Sequence, residues 1–132
     1  ISSKDNTEVN FSLPQKFIYE PNPTILKAGL FNEIAIDFNL SKLHSNTHLY
    51  TSDKLVLNFP GRSFLCKAVE NFKKKAIAPY LDNKKANITT RNFPYSVAQI
   101  KKKLGVKDGG TTYLFATTLQ AEKLFILICK KA

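Results

Sequence analysis

Apolar and polar positions along the chain repeat with two different periods, which predicts a mixture of strands and helices. Val9, Phe11 and Leu13 alternate with polar neighbours, and this period of two predicts a half-buried strand. Further short strands are predicted at residues 17–19 and 48–50, where aromatic and branched side chains are grouped. The first third of the chain is therefore expected to contribute several short strands.

A helical period follows the second of these strands. Asn22 can cap a helix and Pro23 is favoured at its first position. One helix is predicted over residues 23–38, because apolar residues recur at every fourth position in a single buried stripe: Leu26, Leu30, Ile34 and Phe38. Gly29 lowers the stability of such a helix by up to about 1 kcal/mol relative to alanine. Its presence therefore predicts close packing against a neighbouring element.

The middle of the chain contains two predicted strands and a short helix. Residues 58–61 form a predicted turn, and the strand that follows spans residues 62–69. A basic helix is predicted over residues 73–81, shortened or bent by Pro79. The next strand, residues 86–91, has one polar face that ends in an arginine.

The last third of the chain contains the clearest sequence patterns for secondary structure. Ser96 and Gln99 are spaced as a capping box, which predicts a helix over residues 97–104 closed by Gly105. Its inward positions are Val97, Ile100 and Leu104, with Lys102 on the opposite side and Lys101 and Lys103 beside it.

The final apolar segments predict a hairpin of residues 112–119 and 124–129. The second strand is apolar on both faces, so it should be central in its sheet. The pattern as a whole predicts an α+β fold with a mixed sheet, divided near Gly61 into units of residues 1–61 and 62–132.

Charge divides the 132-residue chain at the same place. Residues 1–61 carry 5 lysines and arginines against 6 acidic residues, whereas residues 62–132 carry 15 against 4. This asymmetry favours a polyanionic partner, with nucleic acid first and an anionic membrane surface second. The alternative is that the lysines only keep the surface soluble.

Composition and the absence of targeting signals indicate the class of protein and where it is located. An apolar content of 43% and a charged content of 23% are ordinary for a globular domain. The sequence has neither a signal peptide nor a run of about 20 apolar residues, which predicts a cytoplasmic protein with no membrane contact. The absence of methionine suggests a piece of a longer protein. Cys66 and Cys129 lie in apolar stretches and are expected to be buried, reduced thiols.

The sequence contains no recognisable catalytic or metal-binding pattern. His44 and His48 are four residues apart, but their neighbours predict loop and strand, so a structural role is favoured for both. Gly109 and Gly110 fall between a predicted helix and the hairpin, where a turn explains them. The acidic residues form no cluster in the sequence. We therefore expect no catalytic residue, no metal and no cofactor in this chain.

The basic residues of the second half are the candidate site. A phosphate-binding surface is predicted around Arg91, Lys101, Lys102 and Lys107, which the short 92–95 connection should keep on neighbouring surfaces. A second group completes the candidate set: Lys73, Lys74, Lys75, Lys84, Lys85 and Arg62. Aromatic residues lie among them, and unpaired RNA bases can stack on such rings, although aromatic side chains more often belong to a core. These neighbours are Tyr80, Phe93 and Tyr95.

Several motifs are distributed over residues 9–132: Tyr19-Glu20-Pro21-Asn22-Pro23, Phe59-Pro60-Gly61-Arg62, Lys107-Asp108-Gly109-Gly110 and residues 27–29, 43–51, 87–94 and 113–118. Together they resemble the C-terminal region of predicted class I S-adenosylmethionine-dependent methyltransferases from Bacteroidetes. The resemblance implies a small ferredoxin-like unit (1–61) and a THUMP-like unit (62–132), which follow a catalytic domain with a Rossmann-like fold. THUMP domains are RNA-binding modules of enzymes that modify tRNA and other structured RNA.

The resemblance and the charge pattern together predict a non-catalytic RNA-binding module of a methyltransferase. Its expected partners are structured RNA, either tRNA or ribosomal RNA, and its own N-terminal methyltransferase domain. S-adenosylmethionine is expected in that domain and not in this chain. The alternative is a scaffold module that packs on the methyltransferase domain or on another protein, which predicts exposed apolar side chains in the acidic half. An independent enzyme is the least favoured interpretation.

Overall fold

The computed structural model describes residues 9–132, apart from the side chain of residue 120, and shows one mixed seven-stranded sheet with helices on its outer faces. The strands are β1 (Phe17–Pro21), β2 (Ser41–His44), β3 (Thr47–Ser52), β4 (Gly61–Asn71), β5 (Lys85–Arg91), β6 (Lys107–Thr118) and β7 (Leu124–Lys131). The helices are α1 (Pro23–Lys27), α2 (Phe31–Asp37), α3 (Lys74–Ile77) and α4 (Val97–Leu104). The strand order is β2-β3-β1-β4-β7-β6-β5, in which β5 and β6 are parallel and all other neighbours are antiparallel. The predicted α+β class with a mixed sheet is confirmed.

The single helix predicted over residues 23–38 is wrong, because the segment forms two helices that are separated at Gly29. Gly29 adopts a φ of 70°, a left-handed conformation that glycine reaches without steric cost and that ends a helix. The expected close packing at Gly29 is also wrong, since a Cβ atom placed there would have no neighbour within 4 Å.

The break at Gly29 also disrupts the predicted apolar stripe. Ile34 is buried, but Leu30 is 39% exposed and Leu26 is half-buried. The helix does begin at Pro23 as predicted, although the side chain of Asn22 makes no capping hydrogen bond.

The strand predicted at residues 9–13 is reduced to one isolated parallel bridge between Phe11 and Lys42. Phe11 and Leu13 are 50% and 67% exposed, so the alternating pattern does not mark a buried face here. The strand that this segment pairs with, β2, has only four residues and therefore offers a short edge for a further strand.

The elements predicted in the last third are confirmed. Ser96 Oγ accepts a hydrogen bond from the Gln99 backbone nitrogen at 3.2 Å, and Gln99 Oε1 accepts one from the Ser96 nitrogen at 2.8 Å. α4 then ends at Gly105, with a φ of 67°. The predicted basic helix is also present but short, because α3 passes into a single 3₁₀ turn, Ala78–Tyr80, that contains Pro79.

The hairpin and its central strand are confirmed as well. β6 and β7 pair from Thr118↔Leu124 to Tyr113↔Cys129 through a 3₁₀ turn, Gln120–Glu122. β7 lies between β4 and β6, and its two faces belong to different cores: Ile126 and Ile128 pack under α3 and α4, whereas Leu127 and Cys129 pack on the opposite side of the sheet.

The glycine pair does not lie in a separate turn, as predicted, but inside β6. β5 and β6 are in register at Lys85↔Lys107, and the register then shifts so that Asn87 pairs with Tyr113. Residues 109–112 therefore bulge out of the ladder. Gly109 and Gly110 have φ values of 126° and 76°, which other residues rarely adopt. The side-chain amide of Asn87 donates a hydrogen bond to the Gly110 carbonyl at 3.0 Å and stabilises the bulge.

Three apolar cores show how the sheet is bent. One core lies under α3 and α4 and contains Ile100, Leu114 and Ile126, while another lies under α2 and contains Tyr19 and Ile34. The third core is lined by both halves of the sheet, since it joins residues of β1, β2 and β3 to residues of β4, β6 and β7: Ile18, Leu43, Leu49, Phe64, Phe115, Leu119, Leu127 and Cys129. The sheet is therefore coiled around this inner core, and the helices cover the outer faces.

Polar contacts close the coiled sheet where β3 meets the ends of β5 and β6. Thr47 Oγ1 donates a hydrogen bond to the Thr118 carbonyl at 2.8 Å and accepts one from Asn92 Nδ2 at 3.3 Å. Thr47 is fully buried. These contacts join residues that are more than 40 positions apart in the sequence, so the two halves of the sheet form one packed unit.

The predicted free thiols are present, with Cys129 buried and Cys66 half-buried. The two cysteines are register partners on β4 and β7. In the described part of the chain, residues 9–132, no helix is long and apolar enough to cross a membrane.

Candidate nucleic-acid interface

Five lysines come together where β5 and β6 begin and α4 ends, four of them from different elements and one from the turn before β5. We call them the lysine platform: Lys74, Lys84, Lys85, Lys101 and Lys107. Lys85 and Lys107 are register partners, and the Lys107 backbone nitrogen donates a hydrogen bond to the Lys84 carbonyl at 2.9 Å. A Cβ atom placed on Gly105 would lie 3.2 Å from Lys74 Nζ. The end of α4 is thus bordered by ammonium groups, which the partial negative charge of a helix C-terminus favours.

Two acidic residues, Asp82 and Asp108, lie beside the five lysines of the platform. Lys101 Nζ donates to Asp108 Oδ2 at 2.6 Å, but the Asp108 side chain is 70% exposed, so this pair is weakly held. Lys84, Lys85 and Lys107 are exposed and make no salt bridge within the described residues. A shallow hollow of about 340 Å³ lies beside the platform, lined by residues that include Lys74, Lys84 and Gly105. Such a surface can hold phosphates through contacts that are independent of base sequence.

Three further predicted lysines flank the platform. Lys73 and Lys75 are exposed on either side of Lys74 in α3, and Lys102 is exposed on α4. The sequence placed them in two clusters, 73–75 with 84–85 and 101–102 with 107. The structure brings both clusters to one region, because α3 packs against α4 and the start of β5 lies beside the start of β6.

The two predicted arginines do not belong to this region. Arg91 and Arg62 both bind the carboxylate of Glu20, which is 6% exposed. Arg91 Nη2 lies 2.5 Å from Glu20 Oε2, and Arg62 Nε donates to Glu20 Oε1 at 2.7 Å. A carboxylate this deeply buried requires opposite charges, and the coil of the sheet supplies them from β4 and β5.

The predicted neighbourhood of Arg91 with Lys101, Lys102 and Lys107 is therefore wrong. Arg91 and Lys85 lie six residues apart on β5, which corresponds to about 20 Å at roughly 3.3 Å per residue. Lys107 pairs with Lys85 and lies at the far end of the strand from Arg91. The 92–95 connection does bring α4 back along β5, but the helix carries its last lysines away from Arg91.

The arginine pair lines a separate cleft of about 410 Å³, bordered by α1 and by Glu20, Arg62, Thr89 and Arg91. The Arg62 side chain is 48% exposed and lies 5.2 Å from the Phe64 ring centroid. Arg91 is 30% exposed, and its buried Nε has no hydrogen-bond partner among the described residues. The cluster thus joins the two halves and leaves part of its positive charge at the surface.

Sequence reasoning missed Glu20 as the counter-charge. It follows Ile18 and Tyr19, both fully buried, at the end of β1. An acidic residue in such a strand signals a buried ion pair, although the sequence does not identify its partner.

Aromatic rings form a second group near the start of α4. Phe72, Phe93 and Tyr95 contact one another with ring centroids 5.3–6.0 Å apart. The ammonium group of Lys103 lies 4.9 Å from the centroid of Phe72. Tyr80, the third aromatic residue named from the sequence, lies apart and donates a hydrogen bond to Glu70 Oε2 at 2.5 Å, which raises the pKa of Tyr80.

Neither histidine belongs to a metal-type cluster within residues 9–132, where no group of three suitable ligands occurs. His44 Nε2 lies 2.7 Å from Glu122 Oε1, and His48 stacks on Phe31 with centroids 3.7 Å apart. Burial first, and then the charges of Lys42 and Arg91, lower the pKa of His48. Both side chains are held in packed or paired environments.

Family models match both halves of the chain. A ferredoxin-like domain model matches residues 17–60, and a THUMP domain-like model matches residues 61–131. The second match covers more than half of the chain. This protein therefore belongs to the THUMP domain-like family and carries a ferredoxin-like domain before its THUMP-like domain.

A solved structure has the same fold along nearly the whole chain. It is the crystal structure of "putative methyltransferase from Porphyromonas gingivalis W83", with 33% sequence identity and a TM-score of 0.87. The alignment covers 98% of this chain and 33% of that protein, so the chain spans about a third of the length of its relative. A comparison with curated proteins finds no match.

Proposed function

We propose that this chain is the RNA-binding accessory module of an S-adenosylmethionine-dependent RNA methyltransferase. The lysine platform docks structured RNA, such as tRNA or ribosomal RNA, through its phosphates. The observation that carries the proposal is the convergence of Lys74, Lys84, Lys85, Lys101 and Lys107 on one surface, where five lysines lie beside two acidic residues. Membership of the THUMP domain-like family supports it, since THUMP-like domains are typically RNA-binding.

The methyltransferase part of the proposal rests on the Porphyromonas gingivalis protein, of which this chain matches about a third. In this arrangement the catalytic domain and its S-adenosylmethionine belong to the remaining two-thirds of the parent protein. The role of this chain is to hold the substrate, and catalysis takes place on the other domain. Lysine contacts supply affinity and orientation with little base readout, because an ammonium group acts as a point charge.

A charge reversal of two platform lysines tests the docking surface. The double variant Lys84→Glu/Lys107→Glu should weaken tRNA binding and reduce the slope of log affinity against log salt by about 2 if each lysine neutralises one phosphate. Lys27→Glu/Lys54→Glu is the matched control, because it makes the same change in net charge at exposed positions in the other half.

Filter binding at several salt concentrations measures both quantities. Equal losses in the two double variants would show a general effect of net charge and would reject the platform. A loss confined to Lys84→Glu/Lys107→Glu would support it.

The second candidate function, a scaffold that packs on the methyltransferase domain, is favoured by the exposed apolar side chains of the acidic half: Phe11, Leu13, Leu30, Leu55 and Leu57. Leu57 and Leu13 are the most exposed of these, at 73% and 67%. In the parent protein, Leu13→Asp/Leu57→Asp should speed proteolysis between the domains if this surface is an interface. Unchanged proteolysis would leave RNA docking as the sole candidate.

A further inference from the structure

The aromatic group beside α4 differs from an ordinary core cluster in its exposure. Phe72 and Phe93 are half-buried against the core under α3 and α4, whereas Tyr95 is 45% exposed. The three ring centroids lie 5.3 Å (Phe72 to Phe93), 5.5 Å (Phe72 to Tyr95) and 6.0 Å (Phe93 to Tyr95) apart. The two phenylalanines therefore fix the position of the tyrosine ring, which stays open to solvent.

The surroundings of this aromatic group are cationic. The ammonium group of Lys103 lies 4.9 Å from the Phe72 centroid, and Lys73 follows Phe72 directly in the chain. Lys102 is exposed on the same short helix, whose first residue follows Tyr95 by two positions. The exposed ring of Tyr95 offers a face for a flat π-system, and the lysine that contacts the neighbouring Phe72 ring offers a cation for a negative charge next to it.

We propose that Phe72, Phe93 and Tyr95 form a stacking site for an unpaired RNA base, with Lys73, Lys102 and Lys103 holding the adjacent phosphates. The proposal rests on the RNA-docking function above and extends it, because the lysine platform alone does not distinguish paired from unpaired RNA. Every base has a π-face, so stacking on Tyr95 accepts any base and selects for a single strand. Charge complementarity favours this occupant over an apolar peptide, which would leave the three lysines without partners.

A tryptophan at position 95 provides a direct probe, because the natural chain contains no tryptophan. In Tyr95→Trp, a ten-nucleotide uridine oligomer should quench the fluorescence, whereas an abasic oligomer with the same number of phosphates should not. Equal quenching by the two oligomers would overturn the proposal. Quenching by an acidic peptide but not by the uridine oligomer would overturn it as well.

Affinity measurements separate stacking from phosphate docking. Tyr95→Ala should weaken binding of the uridine oligomer by roughly 5- to 150-fold, the range for one stacked base, and change duplex RNA binding less than twofold. Tyr95→Phe should restore single-strand binding. Tyr80→Ala is the matched control, since Tyr80 is also partly exposed, at 38%, but lies outside the aromatic group.

The outcomes distinguish this proposal from the broader one. If Tyr95→Ala has no effect while Lys84→Glu/Lys107→Glu weakens binding, the stacking site is rejected and phosphate docking stands. If Tyr95→Ala selectively weakens single-strand binding while the lysine variant has no effect, stacking stands without the platform. Equal losses for single-stranded and duplex RNA in Tyr95→Ala would reject stacking, and absence of any RNA binding would reject both proposals.

Discussion

The two halves of the molecule differ in how deeply their ionisable side chains are buried. In the ferredoxin-like half, Glu20, Lys42 and His44 are at least 94% buried and each contacts a specific polar partner. In the THUMP-like half, most lysines are exposed, and among the described residues Lys101 is the lysine with a carboxylate partner. Buried polar groups need hydrogen-bond partners to offset desolvation, whereas exposed cations remain available to bind another molecule. The contrast indicates structural roles for the first set and leaves the second set available for the RNA docking proposed above.

The largest expected effect comes from removing the buried charge that joins the halves. Glu20→Ala leaves Arg62 and Arg91 without their common carboxylate. It should lower the free energy of unfolding by about 2–3 kcal/mol, below the full cost of a buried pair because both arginines are partly exposed. Asp37→Ala removes an exposed acid from the same half and should change stability by less than about 0.5 kcal/mol. Urea denaturation checks both variants, and equal effects would contradict the contrast.

A second variant tests whether Arg91 has a structural role or contacts RNA. Arg91→Gln should destabilise the fold by about 1–3 kcal/mol, because it breaks a charged hydrogen bond to a buried carboxylate. The RNA affinity of this variant, and the slope of log affinity against log salt, should stay near those of the natural chain. Both are measured well below the melting temperature of the variant. A fall in the salt slope of about 1 would instead show that Arg91 contacts phosphate. The site would then extend to the arginine cleft.

A smaller effect is expected where the two helices of the first half meet. Gly29→Ala forces a side chain into the left-handed conformation and should lower the free energy of unfolding by about 1–2 kcal/mol. The added methyl group has free space, so backbone strain is the whole cause. Gly29→Asn, which tolerates this conformation better, should cost less. A stabilised Gly29→Ala variant in thermal denaturation would show that one continuous helix over residues 23–38 is accessible.

The smallest effect concerns pH. The pKa of His48 is lowered in the folded chain, so the unfolded chain binds more protons as pH falls through about 6.5, the ordinary value. The contribution of neutral His48 to stability is therefore present above pH 6.5 and is lost progressively below it. Compared with the natural chain, His48→Gln should show a weaker loss of melting temperature between pH 7.5 and 5. If the melting temperatures of the two chains depend on pH in the same way, burial does not disfavour the charged form of His48.

The site was partly predictable, and the reason differs for each group of residues. The lysines were identifiable because 15 of the 20 basic residues lie after position 61. Their convergence was not, because it depends on the packing of α3 against α4 and on the pairing of Lys85 with Lys107, and both contacts join residues far apart in the sequence. Arg91 was misplaced because its partner, Glu20, lies 71 positions away on a strand that three others separate from β5.

The sequence by itself determined the elements that depend on neighbours within a few positions. Ser96 and Gln99 start α4, Gly105 ends it, and the two-faced apolar pattern makes β7 central. These signals are local because hydrogen bonds within one helical turn and the alternation of a strand involve adjacent residues. The tertiary structure decided which charges are buried and which are free. Coiling of the sheet brings Arg91 to Glu20 and leaves the lysines outside, and strand order and register set that outcome over distances the local pattern does not encode.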